Sequence, residues 1–228
     1  MSEIVSDASL WLAFGKSFLF VLAALLPILN PAATAPIFLG LTEGASGATR
    51  ATLARRIAVN MVYLMAGAML VGSYVLDVFG ISLPIVRVGG GLLLAANAWR
   101  LLHASHATND SRQALAEAFT PDHARRQAFY PLTFPISCGP ASIAAAITIG
   151  VTLHDNRLPM SLAQFGGGVV ALCVIGVVMF LAFRYAMQLL RPLGEAGTLV
   201  FLRLTAFILL CLGVQVIWDG VRELVRSL

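Results

Sequence analysis

Apolar residues in this chain come as long unbroken runs, without the one-face stripe of a helix lying on a soluble core. A helix that crosses a bilayer needs about 20 mostly apolar residues to cover a hydrocarbon core of about 30 Å. Six runs meet that length: residues 11–42, 57–76, 78–102, 127–153, 161–190 and 197–218. Polar residues gather between them, at Arg50, Arg55 and Arg56, around Asp77, and above all over residues 103–126, which hold Asp110, Arg112, Glu117, Pro121, Asp122, Arg125 and Arg126. That stretch divides the chain near its middle and leaves three runs on each side. The pattern predicts an all-α, polytopic membrane protein of six transmembrane segments. It forms a single membrane domain over 1–228: one repeat at about 11–102, a cytoplasmic linker at about 103–126, and a second repeat at about 127–219.

Composition agrees. Only 11% of the 228 residues are charged and 59% are hydrophobic, whereas a soluble domain carries roughly 25% charged residues. Too few charges remain to coat a water-facing surface, so lipid is an expected partner. The formal charge of +4 is spread between the runs without interleaved aromatics, which argues against nucleic acid as a partner. Placing the N-terminus outside puts Arg50, Arg55, Arg56, Arg100, Arg112, Arg125, Arg126, Arg184 and Arg191 on the inner face. Lys16, Arg157, Arg222 and Arg226 then lie outside, so the positive-inside rule predicts periplasmic N- and C-termini. The run after Lys16 loosely imitates a signal peptide. Glu3 and Asp7 before it and Pro36 after it point instead to a retained first helix.

The most informative feature is a repeat. Pro27-x3-Pro31-x4-Pro36 in the first run matches Pro131-x3-Pro135-x4-Pro140 in the fourth, so six of the ten prolines form two equally spaced triplets. More weakly, Arg87 and the residues after it resemble Arg203 and its followers. Three spans per half is an odd number, so the second half must enter the membrane upside down, as two inverted three-helix repeats. Each proline lacks a backbone donor and crowds the preceding turn. The first and fourth segments are therefore expected to be broken by these motifs. A broken helix within hydrocarbon exposes main-chain groups that need protein, water or a ligand. The expected substrate-binding residues are accordingly Asn30, Pro31, Thr34 and Pro36 from one half, with Thr133, Pro135, Ser137, Gly139, Pro140 and Ser142 from the other. The plainer alternative is a pair of kinks that only shape helix contacts. Arg87 and Arg203 are candidates for coupling or gating, for binding or for pairing with Asp77 or Asp219, or they snorkel from their spans. Asp77 and Asp219 read as helix ends. The glycines at 72, 89–91 and 166–168 read as sites of close helix approach.

No HExxH, GxSxG, P-loop or strand-linked GxGxxG occurs, so the expectation is a non-enzyme without cofactor. His103 and His106 have no further ligand near in sequence, and no metal is expected. Cys138, Cys173 and Cys211 read as small apolar residues.

These residues resemble the MarC family of bacterial inner-membrane proteins. The resemblance rests on Leu26-Pro27-Ile28-Leu29-Asn30-Pro31 with Phe38-Leu39-Gly40-Leu41, and on Phe79-Gly80-Ile81-Ser82-Leu83-Pro84 leading to Arg87 and Gly89-Gly90. It continues through Pro131-Leu132-Thr133, Pro135 and Gly139-Pro140 to Gly213-Val214-Gln215 and Gly220. It implies a bacterial inner-membrane protein with six spans, related to transporters of small neutral amino acids. Where many of those relatives carry Gly-Asn after the first Asn/Asp-Pro, this chain has Ala33-Thr34. Where they often read Gly-Pro-Gly, it has Gly139-Pro140-Ala141. The expected function is a secondary transporter or exporter of small solutes such as neutral amino acids. The alternative is a non-transporting assembly or regulatory protein of the membrane, and a homo-oligomer is left open.

Overall fold

The computed structural model describes residues 7–42, 45–103 and 128–226, and within them every regular element is helical. In chain order these are α1 (Asp7–Leu29), α2 (Pro31–Leu41), α3 (Gly47–Val78), α4 (Leu83–His103), a kinked segment (Ala128–Ser137), α5 (Pro140–Thr152), α6 (Leu158–Arg184), the short α7 (Ala186–Leu190) and α8 (Gly194–Arg226). Five helices are long and apolar enough to cross a membrane. The kinked segment with α5, bent by 74°, makes a sixth crossing if taken as one span. The all-helical, membrane-spanning expectation is borne out. The linker expected at 103–126 lies, apart from His103, outside the described residues.

Helix ends fall elsewhere than the apolar runs do. The second run was bounded at Arg56, yet α3 begins ten residues earlier, where the Ser46 hydroxyl accepts from the Thr49 amide at 3.1 Å. At 1.5 Å per residue its 32 residues reach about 48 Å, well past a hydrocarbon core of about 30 Å. Arg50, Arg55 and Arg56 ride on the protruding turns. Charge marks where lipid stops; it does not stop the helix. Asp77 does sit in the last turn of α3. Asp219, read as a helix end, lies within α8, which continues to Arg226.

Helix α6 is at the centre. Ala171, Leu172, Ile175 and Met179 are fully buried, with α1 on one side and α3 on the other. The facing stripe of α3 is Ile57, Met61, Met65 and Met69, spaced four apart as one helix face requires. Helix α2 packs on α6 through Phe38 and Phe183, whose rings stack at 4.8 Å. Helix α5 and the kinked segment lean on α3, and α4 runs along α8. Glycines set the closest approaches: Gly91 abuts the Gly213 carbonyl and Ile217, Gly213 abuts Ala95, and Gly220 abuts Pro84. Rising numbers on α4 meet falling numbers on α8, so the two are antiparallel. Large apolar side chains such as Trp11, Leu19, Tyr63, Leu92, Val177 and Phe207 face outward. Lipid is the solvent that suits such a surface.

Candidate functional site

The first proline motif interrupts the helix at a single residue. The Asn30 amide still completes α1 by donating to Leu26 O at 3.0 Å. Its backbone then turns left-handed, at φ 47° and ψ 67°, a region Asn tolerates better than most side chains. Pro31 opens α2 at the position where a missing N–H is harmless. Asn30 Oδ1 caps α2 by accepting from the Ala33 amide at 3.1 Å, and the Thr34 hydroxyl donates back to Asn30 O at 3.0 Å. Pro27 and Pro36 both stay inside helices. One atom is left over. Asn30 is 6% exposed, and its Nδ2 is buried without a hydrogen-bond partner among the described residues.

The second motif bends more. The residue before a proline is pushed out of the α region, and here Tyr130 (φ −118°, ψ 124°), Phe134 (φ −117°, ψ 127°) and Gly139 (φ −83°, ψ 173°) all leave it. Carbonyls that lose their usual partners are met from five residues on. Thr133 Oγ1 donates to Ala128 O, Ser137 Oγ to Leu132 O, and the Cys138 amide to Thr133 O, each at 2.7 Å. Ser142 Oγ donates to Gly139 O at 2.7 Å.

The candidate side chains therefore divide. Thr34, Thr133, Ser137 and Ser142 are buried, and each spends its hydroxyl proton on the backbone of its own segment. Pro31 is half-buried, Pro36 sits within α2, and Pro135 and Pro140 are exposed beside half-buried Gly139. Helix α2 and the kinked segment are neighbours in one core. Asn60 of α3, which the sequence did not single out, reaches Thr133 Oγ1 at 3.5 Å. Arg87 and Arg203 are not brought together. Arg87 forms an ion pair with Glu223 of α8. Neither Asp77 nor Asp219, the acids considered for it, is its partner. Arg203 is exposed toward the other end of α8 and makes no ion pair among the described residues.

A cavity of about 420 Å³ opens between α1, α4, α5 and α8. Its walls include Ala24 and Ile28 of α1, Arg87 and Leu94 of α4, Thr148 of α5 and Asp219 of α8. Of the residues expected from the sequence only Arg87 lies in this wall. The proline motifs adjoin it, since Ile28 stands just before Asn30 and the lining of α5 starts at Ala141, next to Pro140. No pattern in the sequence pointed to Thr148, or placed Asp219 beside α1 and α5, because the cavity is built from four helices far apart along the chain.

These features define a multi-pass helical membrane protein with a half-open cavity between its spans. The sequence matches the profile of the MarC family integral membrane protein over residues 15–225, and the chain belongs to that family. It is similar to the inner membrane protein MarC of Escherichia coli O157:H7, with 30% identity over 208 residues that cover 90% of this chain and 94% of the relative. Its similarity to the protein of the same name from Salmonella typhimurium (strain LT2) is 31% over 209 residues, again 90% and 94% of the two chains. No solved structure matches. The protein is an integral inner-membrane protein of the MarC family.

Proposed function

We propose that this protein is a secondary transporter or exporter of small zwitterionic solutes of the neutral amino acid type. The observation that carries this reading is the cavity, because helices of both halves wall it: α1 and α4 from the first, α5 and α8 from the second. Rocking one half against the other would open such a space to either side in turn. The helix contacts support an inverted arrangement of the halves. Helices α1 and α2 rest on α6 as the kinked segment and α5 rest on α3, while α3 meets α6 and α4 meets its counterpart α8. A two-fold axis in the membrane plane generates that scheme. The unpartnered Asn30 Nδ2 adds a buried polar atom at the break beside the cavity, which a solute or water can satisfy as the halves move.

Flux of labelled glycine, alanine and leucine into proteoliposomes tests the proposal, with Asn30→Gly as the comparison. Transport by the wild type and a loss of at least tenfold in the variant are expected. A folded, correctly inserted wild-type protein that moves none of these solutes would overturn it. Periplasmic N- and C-termini belong to the same reading. Alkaline phosphatase fused to the C-terminus should be active, and an inactive fusion that is well expressed would reverse the assigned orientation.

A further inference from the structure

The cavity has two chemically different ends. Gly139 approaches the Asn97 side chain and Gly90 abuts Ala144, so α4 and α5 run antiparallel here. That register brings Thr148, one turn beyond Ala144, level with Arg87, one turn before Gly90. Asp219 joins the same end from α8, whose Gly220 touches the Arg87 side chain. At the opposite end Ile28 packs with Leu94 and Ala141, and Ala145 continues the apolar wall between the two ends. The polar end carries both signs of charge. Arg87 is held by Glu223. Asp219 accepts from Gln215 at 3.1 Å and meets no cation among the described residues. The Thr148 hydroxyl donates to Ala144 O and keeps its own lone pairs for a donor.

Resting on the transporter reading above, we propose that the cavity selects neutral α-amino acids whose apolar side chains are larger than a methyl group, such as leucine or phenylalanine. The substrate ammonium lies at Asp219 and the Thr148 oxygen. Its carboxylate takes the Arg87 guanidinium in place of Glu223, and its side chain extends along Ile28, Leu94 and Ala145. Size points the same way. A cavity of about 420 Å³ would hold on the order of ten or more waters at about 30 Å³ each. Glycine and alanine leave most of it empty, while leucine or phenylalanine fills the apolar end. Burial of the three extra carbons of leucine favours it over alanine by roughly tenfold to 50-fold.

The test is counterflow of labelled leucine in proteoliposomes of the full chain. Leucine, phenylalanine, alanine and glycine serve as competitors, together with 4-methylvalerate (leucine without its amine) and isoamylamine (leucine without its carboxylate). Thermal stabilisation of the purified protein by the same compounds is read in parallel. Leucine and phenylalanine should compete at least tenfold better than glycine, and either single-group analogue at least tenfold worse than leucine. Asp219→Asn should weaken leucine at least tenfold and leave 4-methylvalerate unchanged. Ala145→Leu, which narrows the wall along which the substrate side chain lies, should depress leucine flux at least tenfold and glycine flux much less. Retained glycine flux would show that the variant is folded.

Glycine competing as well as leucine would overturn the side-chain selection while leaving transport intact. Leucine flux indifferent to both substitutions would overturn this placement of the site. If no amino acid moves, the transporter reading falls. Stabilisation by leucine, abolished in Asp219→Asn, would then still support the site, and no stabilisation would overturn it.

Discussion

Gly89 and Gly91 sit two residues apart on α4, and adding one methyl group to each should have opposite effects. A Cβ at Gly91 would lie 2.8 Å from the Gly213 carbonyl oxygen, 2.8 Å from Ile217 Cγ1 and 2.9 Å from the Ile217 nitrogen. Two of those three atoms belong to the backbone of α8 and cannot rotate away, so the helices must separate. Overfilling of a close-packed contact costs about 1–3 kcal/mol, while replacing a mid-helix glycine by alanine returns about 1 kcal/mol of propensity. The net loss for Gly91→Ala is then about 0–2 kcal/mol. At Gly89 nothing lies within 4 Å of the added carbon, so only the propensity remains, a gain of up to about 1 kcal/mol. For a chain of this length about 1 kcal/mol corresponds to roughly 2–4 °C, so the two variants, about 1–3 kcal/mol apart, should differ by roughly 2–12 °C in unfolding midpoint. Thermal unfolding in detergent, followed by tryptophan fluorescence, is a suitable assay because Trp99 of α4 and Trp218 of α8 flank this seam. A Gly91→Ala protein as stable as Gly89→Ala would refute the close contact between α4 and α8.

Three further outcomes are expected. Asn30→Ala must hold a left-handed backbone at φ 47° and should be less stable than Asn30→Gly by about 1 kcal/mol; equal stabilities would argue against that turn. Thr133→Val strands the Ala128 carbonyl inside the protein and should lower stability by about 1–3 kcal/mol, whereas Thr133→Ser keeps the bond and should stay near wild type in the same unfolding assay. Glu223→Gln releases Arg87 from a pair whose side chains are 24% and 45% exposed, so its stability effect should not exceed about 1 kcal/mol, and a larger loss in denaturation would mean that the pair is shielded from water.

The sequence was informative where one physical cause acts locally. Apolar runs show where lipid is the solvent, and they located every long helix. Pre-proline sterics explain Tyr130, Phe134 and Gly139. The glycine triplets do mark close approaches: Gly90 meets Ala144, Gly91 meets α8 and Gly167 abuts the Phe14 carbonyl, while Gly89 faces open space. Helix ends were less legible, because a capped helix such as α3 continues into water past the residues that end the hydrophobic run. The candidate hydroxyls were legible as a cluster but not in their use. Whether Thr133 serves a solute or the Ala128 carbonyl depends on how far the segment bends, which spacing alone does not fix. The ion pair of Arg87 with Glu223 and the cavity depend on contacts between distant parts of the chain, which local pattern does not encode.

Arg50 makes a small contact with a mechanical consequence. Its Nε and Nη2 both donate to Thr42 O, at 3.2 and 3.1 Å, and so fasten the residue that caps the end of the short helix after Asn30 to the first turns of α3. A tilt of that short helix is thereby handed to a rod some 48 Å long, whose far half lies against Ile147 and Gly150. The short helix and the N-terminal turns of α3 are obliged to move together, with this one guanidinium as the coupling pin.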